Sequence, residues 1–171
     1  RLQQLETAGI FMIEQPFAID DWQAHQQAQA RLQMHISLDE SLNELADVKR
    51  ALADQTADAF TIKQAKIGGI TAAKTAIELA LAAGKLPWLG GMLSSGLGRA
   101  VDAALASILG ANSIPSDNSQ ADRYFERDII LDAPVLHAGL LPVPTEPGIG
   151  VALDWEAIHA VQTAPIIIFK A

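Results

Sequence analysis

The sequence predicts an α/β fold of parallel strands, part of a (β/α) TIM-like barrel, and three observations carry that expectation. Short apolar runs recur, and they end in turn at Glu14, Asp39, Lys63 and Gly90. The steps between those positions are 25, 24 and 27 residues, room for one strand, one loop and one helix each. No hairpin signal separates the runs, and no G-x-G-x-x-G turn follows a strand, which favours a barrel over a dinucleotide-binding sheet.

The elements follow in order. Leu2 and Leu5 sit at helical spacing, and Gly9 reads as a helix stop. Ile10 to Ile13 is an apolar strand closed by Glu14, and Pro16 forbids a central strand from continuing. Residues 20–33 read as a helix with Asp20 and Asp21 in its first turn. Ile36 and Leu38 form a second strand before Asp39 and Glu40. Ser41 to Glu44, "SLNE", reads as a capping box that opens a helix with Leu42, Leu45, Val48 and Leu52 on its buried stripe. "AFTIK", 59–63, is a third strand with Lys63 at its end. Ile70 to Ala83 is an Ala-rich helix stopped by Gly84. "LPWLGG", 86–91, is a fourth strand, Gly96 to Leu109 a helix stopped by Gly110, and "SIPSD", 113–117, a fifth strand.

Composition excludes several functions. The 171 residues carry a formal net charge of −8, half of them are hydrophobic, and there is no cysteine. No basic stripe exists to meet nucleic acid or an anionic membrane. Disulfide and thiolate chemistry are excluded, and the lack of cysteine suits a reducing, cytoplasmic setting. No apolar run approaches the ~20 residues of a membrane span. The chain opens without methionine, inside a helical pattern and with no secretory signal, so it reads as the later part of something longer.

The charged strand ends suggest chemistry. In a parallel barrel the C-terminal ends of the strands converge on one mouth. Glu14 and Asp39 would then face each other a strand apart, and two carboxylates so placed repel unless a proton or a cation sits between them. Oxygen-only ligands favour a hard divalent ion such as magnesium. The competing reading of Glu14 is a solvated strand end, and that of Lys63 a lysine whose stem lies along the strand while its head reaches water.

The motifs "IEQPF…DDW" (13–22), "ISLDES" (36–41), "IKQAKIGG" (62–69), "WLGGMLSSGLGRA" (88–100) and "PVPTEPGIGV" (142–151) resemble the enolase superfamily. The resemblance is strongest to its muconate lactonizing enzyme subgroup, and within it to o-succinylbenzoate synthases and N-acylamino acid racemases. It covers residues 10–154 and corresponds to about strands four to eight of the barrel and the tail. It implies a magnesium site, with manganese as a substitute, in which Glu14 is the second acid ligand and Asp39 the third. Lys63 corresponds to the lysine of the sixth strand and would be catalytic. Gly90, Gly91 and Met92 fall on the loop that meets substrate. The first acid ligand, a K-x-K motif and the N-terminal capping domain would lie upstream. Residues 1–154 would form the partial barrel, and residues 155–171 a tail packing on the barrel or on the capping domain. "PSD" at Pro115 to Asp117 and the serines of "MLSSG" depart from the usual pattern, which bears on substrate identity more than on metal.

Three functions are then open. One is a magnesium-dependent lyase of the o-succinylbenzoate synthase kind, removing a proton alpha to a carboxylate in menaquinone synthesis. Another is a racemase or epimerase on acylated amino acids or dipeptides. The third is a catalytically incomplete fragment that serves as a folding or assembly unit. A five-strand arc leaves two open edges, so the chain is expected to meet a second copy or an N-terminal part around Ile10 to Glu14 and around Ile114. Lys66 reads as a solvated charge or, as the resemblance implies for racemase-capable members, as a basic residue of the site. Trp88 reads as barrel wall rather than a substrate stacker, and Arg99 as an anion contact or a helix-surface partner. His25, His35, His137 and His159 share no ligand spacing, and His35 lies at the far end of its strand.

Overall fold

The computed structural model describes residues 1–110, 113–165 and 167. The chain divides into two compact units, Arg1–Met92 with Ala104–Asn118, and Leu93–Ala103 with Ser119–Ala171. Among the described residues no helix is long and apolar enough to cross a membrane.

The first unit alternates helix and strand. α1 (Leu2–Thr7) leads to β1 (Met12–Glu14), α2 (Trp22–Gln29) to β2 (His35–Leu38), and α3 (Leu45–Ala53) to β3 (Ala59–Ile62). A single-turn α4 (Gln64–Ile67) and the long α5 (Ile70–Ala82) precede β4 (Leu86–Leu89). The four strands form one sheet in the order β1-β2-β3-β4, every neighbour parallel. Glu14 pairs with Ser37, Ser37 with Ala59, and Thr61 with Trp88.

The core lies between sheet and helices. Ile36, Leu38, Phe60, Ile62 and Leu89 face the helices and are buried. They meet small and branched side chains, among them Val48 and Ala51 of α3 and Ala73, Ala76, Ile77 and Ala80 of α5. Alanine at those helical positions lets helix and sheet approach closely while keeping helix propensity high.

The structure revises several local expectations. Residues 113–117 form no strand; Pro115 removes a ladder donor, and a single backbone bond, Asp117 N–H to Leu89 O at 2.9 Å, ties this stretch to β4. β1 begins at Met12 rather than Ile10, whose N–H returns to Leu5 O at 3.2 Å. The capping box is one turn later than "SLNE". Helix α3 starts at Leu45, and the Asp47 carboxylate accepts from Asn43 N–H at 2.8 Å and Glu44 N–H at 3.0 Å. Ser41 is engaged elsewhere, its N–H donating to Gln15 Oε1 at 3.3 Å and its hydroxyl to Ile19 O at 2.7 Å.

The second unit holds most of α6 (Gly96–Ala106), a 3₁₀ turn at Ala121–Arg123, and α7 (Trp155–Val161). Asp128 accepts from Gly96 N–H at the start of α6, at 2.8 and 2.9 Å to its two oxygens. Asp154 caps α7 through Ala157 N–H at 3.0 Å and accepts from Arg127 at 2.9 Å. These charge-assisted bonds hold the Asp154 carboxyl below the usual range. An antiparallel bridge, Ile130 to Leu153, joins the segments carrying those two aspartates. The proposed tail begins with α7, and its positions 166 and 168–171 lie outside the described residues.

Candidate active site

Strand alternation separates two chemistries. Along β2 and β3 the even positions Ile36, Leu38, Phe60 and Ile62 face the helices, so Ser37, Asp39, Thr61 and Lys63 face the opposite side of the sheet. The polar ends of three successive strands meet there. Lys63 Nζ donates to Asp39 Oδ2 at 2.5 Å. Thr61 Oγ1 donates to Glu14 Oε1 at 2.9 Å.

Glu14 ends β1 as an exposed residue, yet its carboxyl is held above the usual range. Partial desolvation is the main cause, and the nearby Asp39 and Glu40 charges add to it, while Thr61 and Lys63 oppose it. Asp39 is buried at 5% exposure and carries two ammonium partners. The second is Lys66, whose Nζ reaches Asp39 O at 2.9 Å and Oδ1 at 3.2 Å. Lys66 is therefore a member of the site rather than a solvated charge. α4 places it there: Lys63 caps the helix, and one turn brings Lys66 back over Asp39. Gly68 at φ +106° and Gly69 at φ +90° then turn the chain into α5, a sequence of left-handed residues that only glycine adopts freely.

Gln15 ties the ends of β1 and β2 together. Its Oε1 accepts from Asp39 N–H at 2.9 Å and Ser41 N–H at 3.3 Å. Its Nε2 donates to Ser41 Oγ at 2.8 Å, and its backbone N–H to Ser37 O at 2.8 Å. Buried His25 closes the bracket, with Nδ1 at 2.8 Å from Asp21 O and Nε2 at 3.3 Å from Gln15 Nε2. Those partners set the ring proton on Nδ1, because a carbonyl can only accept. To reach this arrangement Gln15 takes φ +41°, a strained value for a residue with a Cβ.

Gly90 and Gly91 have steric reasons to be glycine. A Cβ on Gly90 would lie 2.6 Å from Lys63 Cε and collide with Thr61, so this strand end leaves room for the lysine stem. A Cβ on Gly91 would run into the Asp117 backbone oxygen. Met92, next along, is exposed. An open recess of about 480 Å³ is lined by Ile19, Asp39, Glu40, Asn43, Lys63 and Lys66. Trp88 stands in the wall, its Nε1 donating to Ser37 Oγ at 3.0 Å. His35 lies at the opposite end of β2, 3.8 Å from Asp58. Buried Arg99 stacks over Tyr124 at 5.8 Å within the second unit, which removes it from the helix surface.

The donor chemistry suits a hard cation. Glu14 and Asp39 offer oxygen only, their mutual repulsion is what a cation would relieve, and Asp39 already gathers two positive groups. Among the described residues no cluster of three metal-ligating side chains is present. Sequence reasoning missed Gln15, Ser37 and Thr61 altogether. The one available signal was the strand alternation itself, which puts Ser37 and Thr61 on the same face as Asp39 and Lys63.

A parallel β/α arc with acids and lysines gathered at its C-terminal strand ends has the layout of a barrel-enzyme mouth. The description "Enolase C-terminal domain-like" matches residues 1–157, and the chain belongs to that family. It is 39% identical over 154 residues to an o-succinylbenzoate synthase of Geobacillus stearothermophilus, covering 90% of this chain and 41% of that protein. It is 37% identical over 166 residues to an N-succinylamino acid racemase of Amycolatopsis sp, covering 97% and 45%. A crystal structure of an enolase-superfamily member from Listeria innocua superposes with a TM-score of 0.86 at 37% identity, covering 93% of this chain and 43% of that one. A muconate lactonizing enzyme of Pseudomonas putida superposes at 0.79 with 27% identity, covering 92% and 44%. The chain thus spans less than half the length of these relatives.

Proposed function

We propose that this site serves the removal of a proton alpha to a carboxylate with the help of magnesium or manganese, in a protein acting as an o-succinylbenzoate synthase, a dehydration in menaquinone synthesis. The observation that supports this reading is the convergence of Glu14, Asp39 and Lys63 at three adjacent parallel strand ends, with Lys63 Nζ 2.5 Å from Asp39. Glu14 and Asp39 would hold the cation, which stabilises negative charge gathering on the substrate carboxylate. Lys63 holds an ammonium beside that charge, or moves a proton at the alpha carbon when neutral. Lys66 keeps Asp39 oriented when Lys63 turns to the substrate. Gly90 and Gly91 offer backbone without side-chain bulk beside Lys63, and with Met92 they would border the substrate.

A racemase of N-acylamino acids or a dipeptide epimerase is the second reading. It is favoured by the name of the Amycolatopsis relative and by a lysine in position to move a proton at a carbon centre. The proposal includes a cytoplasmic setting, in keeping with a chain free of cysteine. It also includes a partner, a second copy or an N-terminal part, along the open edge of β1, where Ile10 and Phe11 are exposed.

The test follows both reactions in the intact protein: loss of the alpha-proton NMR signal of an N-succinylamino acid in D₂O, and dehydration to o-succinylbenzoate. Lys63→Ala should cut one or both by ~10²–10⁴. Undiminished exchange and dehydration in Lys63→Ala would overturn the assignment.

A further inference from the structure

The face of the sheet that carries the candidate site also carries a buried chain of hydrogen bonds that ends on Glu14. Trp88 Nε1 donates to Ser37 Oγ at 3.0 Å, Ser37 Oγ and Thr61 Oγ1 are 3.0 Å apart, and Thr61 Oγ1 donates to Glu14 Oε1 at 2.9 Å. Indole N–H is a donor only, and a hydroxyl has one proton to give. Thr61 gives its proton to Glu14, so Ser37 must give its own to Thr61. The direction is set throughout: Trp88 to Ser37, Ser37 to Thr61, Thr61 to the carboxylate. The three donors are buried, with Ser37 at 0%, Thr61 at 2% and Trp88 at 8% exposure. The chain crosses from β4 through β2 and β3 to β1, so it links all four strands.

Nothing in the packing requires this. The other side of the same strands is apolar, and valine in place of Thr61 would fit a strand interior well. A polar row in a dry environment is tolerated only when each group is satisfied, and here the last acceptor is an exposed glutamate. Glu14 itself would otherwise be free to rotate at the strand end. The bond from Thr61 holds Oε1.

We propose that Thr61 is a positioning residue for a divalent cation, acting through Glu14, and that Ser37 and Trp88 hold Thr61 in the donating orientation. This rests on the reading of Glu14 as a metal ligand. Groups that fix a ligating carboxylate typically change metal affinity ~10–100-fold when lost.

The experiment titrates the intact protein with Mn²⁺, reading the free ion by electron paramagnetic resonance. Thr61→Val should weaken binding at least ~10-fold, and Thr61→Ser, which keeps the hydroxyl, should stay close to wild type. If the valine variant fails to fold, Thr61→Ser against Thr61→Ala makes the same comparison, since the two differ by one oxygen. A second readout follows the indole ¹H–¹⁵N signals on adding Mg²⁺. The Trp88 signal, identified by its loss in Trp88→Phe, should move on addition, and this movement should vanish in the variant lacking the hydroxyl. A merely structural threonine would not couple a distant indole to the cation. Equal Mn²⁺ affinity with and without the Thr61 hydroxyl, while Glu14→Gln weakens it, would overturn this inference alone. Absence of Mn²⁺ binding in the wild type would overturn the metal reading of the site and this inference with it.

Discussion

Replacing Gln15 separates two effects that the structure superimposes. Its side chain satisfies two backbone donors, Asp39 N–H at 2.9 Å and Ser41 N–H at 3.3 Å, in residues that are both buried. Leaving such a donor without a partner costs about 1–3 kcal/mol, and water entering the gap brings each toward the lower end, so Gln15→Ala should cost ~2–3 kcal/mol. The backbone is a separate matter. At φ +41° a residue with a Cβ carries strain of ~1 kcal/mol or more, present in glutamine and alanine alike. Gln15→Gly loses the same hydrogen bonds but relieves that strain, so it should be the more stable of the two by about 1 kcal/mol. Urea unfolding followed by circular dichroism measures the three chains side by side, and melting should fall by ~5–10 °C in the alanine variant. Equal midpoints for alanine and glycine would refute the strain argument. An alanine variant within ~0.5 kcal/mol of wild type would show that the bracket contributes little.

Three further outcomes are expected. Glu14→Ala and Asp39→Ala should each weaken Mn²⁺ binding at least ~10-fold; unchanged titrations in both would remove these residues from any metal site. Phe60, fully buried between sheet and helices, should cost ~3–5 kcal/mol on truncation to alanine, read as a shift in urea midpoint, and a loss under ~1 kcal/mol would contradict the core described above. Asp102 is buried in α6, and desolvation, partly opposed by Arg99, pushes its carboxyl up to about 6. A folded value above the unfolded one means that its contribution to stability is present below the ordinary value of 3.8 and is lost as pH rises through about 6. Asp102→Asn stays neutral, so its stability relative to wild type should grow by on the order of 2–3 kcal/mol between pH 4 and pH 7; a gap that does not change with pH would be the contrary result.

The parallel strands and their spacing are legible in the sequence because each apolar run stops on a residue that cannot be buried unpaired. Glu14, Asp39 and Lys63 mark those stops. The fifth strand is not legible in the same way: "SIPSD" follows the helix where the repeat would place a strand, but it has a single aliphatic residue and no alternation, and Pro115 lacks the donor that a ladder needs. The capping box is ambiguous in the sequence because Ser41/Glu44 and Glu44/Asp47 share the same spacing, and the contacts that occupy Ser41, with Gln15 and Ile19, are more than 20 residues away along the chain. The sequence leaves Lys66 open between a solvated charge and a site residue, because its partner lies 27 residues earlier, across a strand pair that local patterning does not show. Gln15 is harder still. Its role depends on a left-handed backbone and on Asp39, 24 residues away, and neither leaves a mark on glutamine as a residue type.

The distribution of polarity across the sheet is itself an argument about function. Parallel strands covered on both faces ordinarily read as continuous apolar runs. Here only the helix side does. The other side carries Ser37, Thr61, Trp88, Asp39, Lys63 and Glu14, bonded to one another in two connected groups. Stability alone would be served as well by valine or isoleucine at Ser37 and Thr61, since buried polar groups recover at best what their desolvation costs. The polar row also runs in one direction, from the closed interior toward the strand ends, where the charged groups lie. A face built for packing would have no reason to order its protons toward Glu14. A face that must hold two carboxylates close together, and keep a lysine beside them, needs such order, because each group must keep its place when the others change partner.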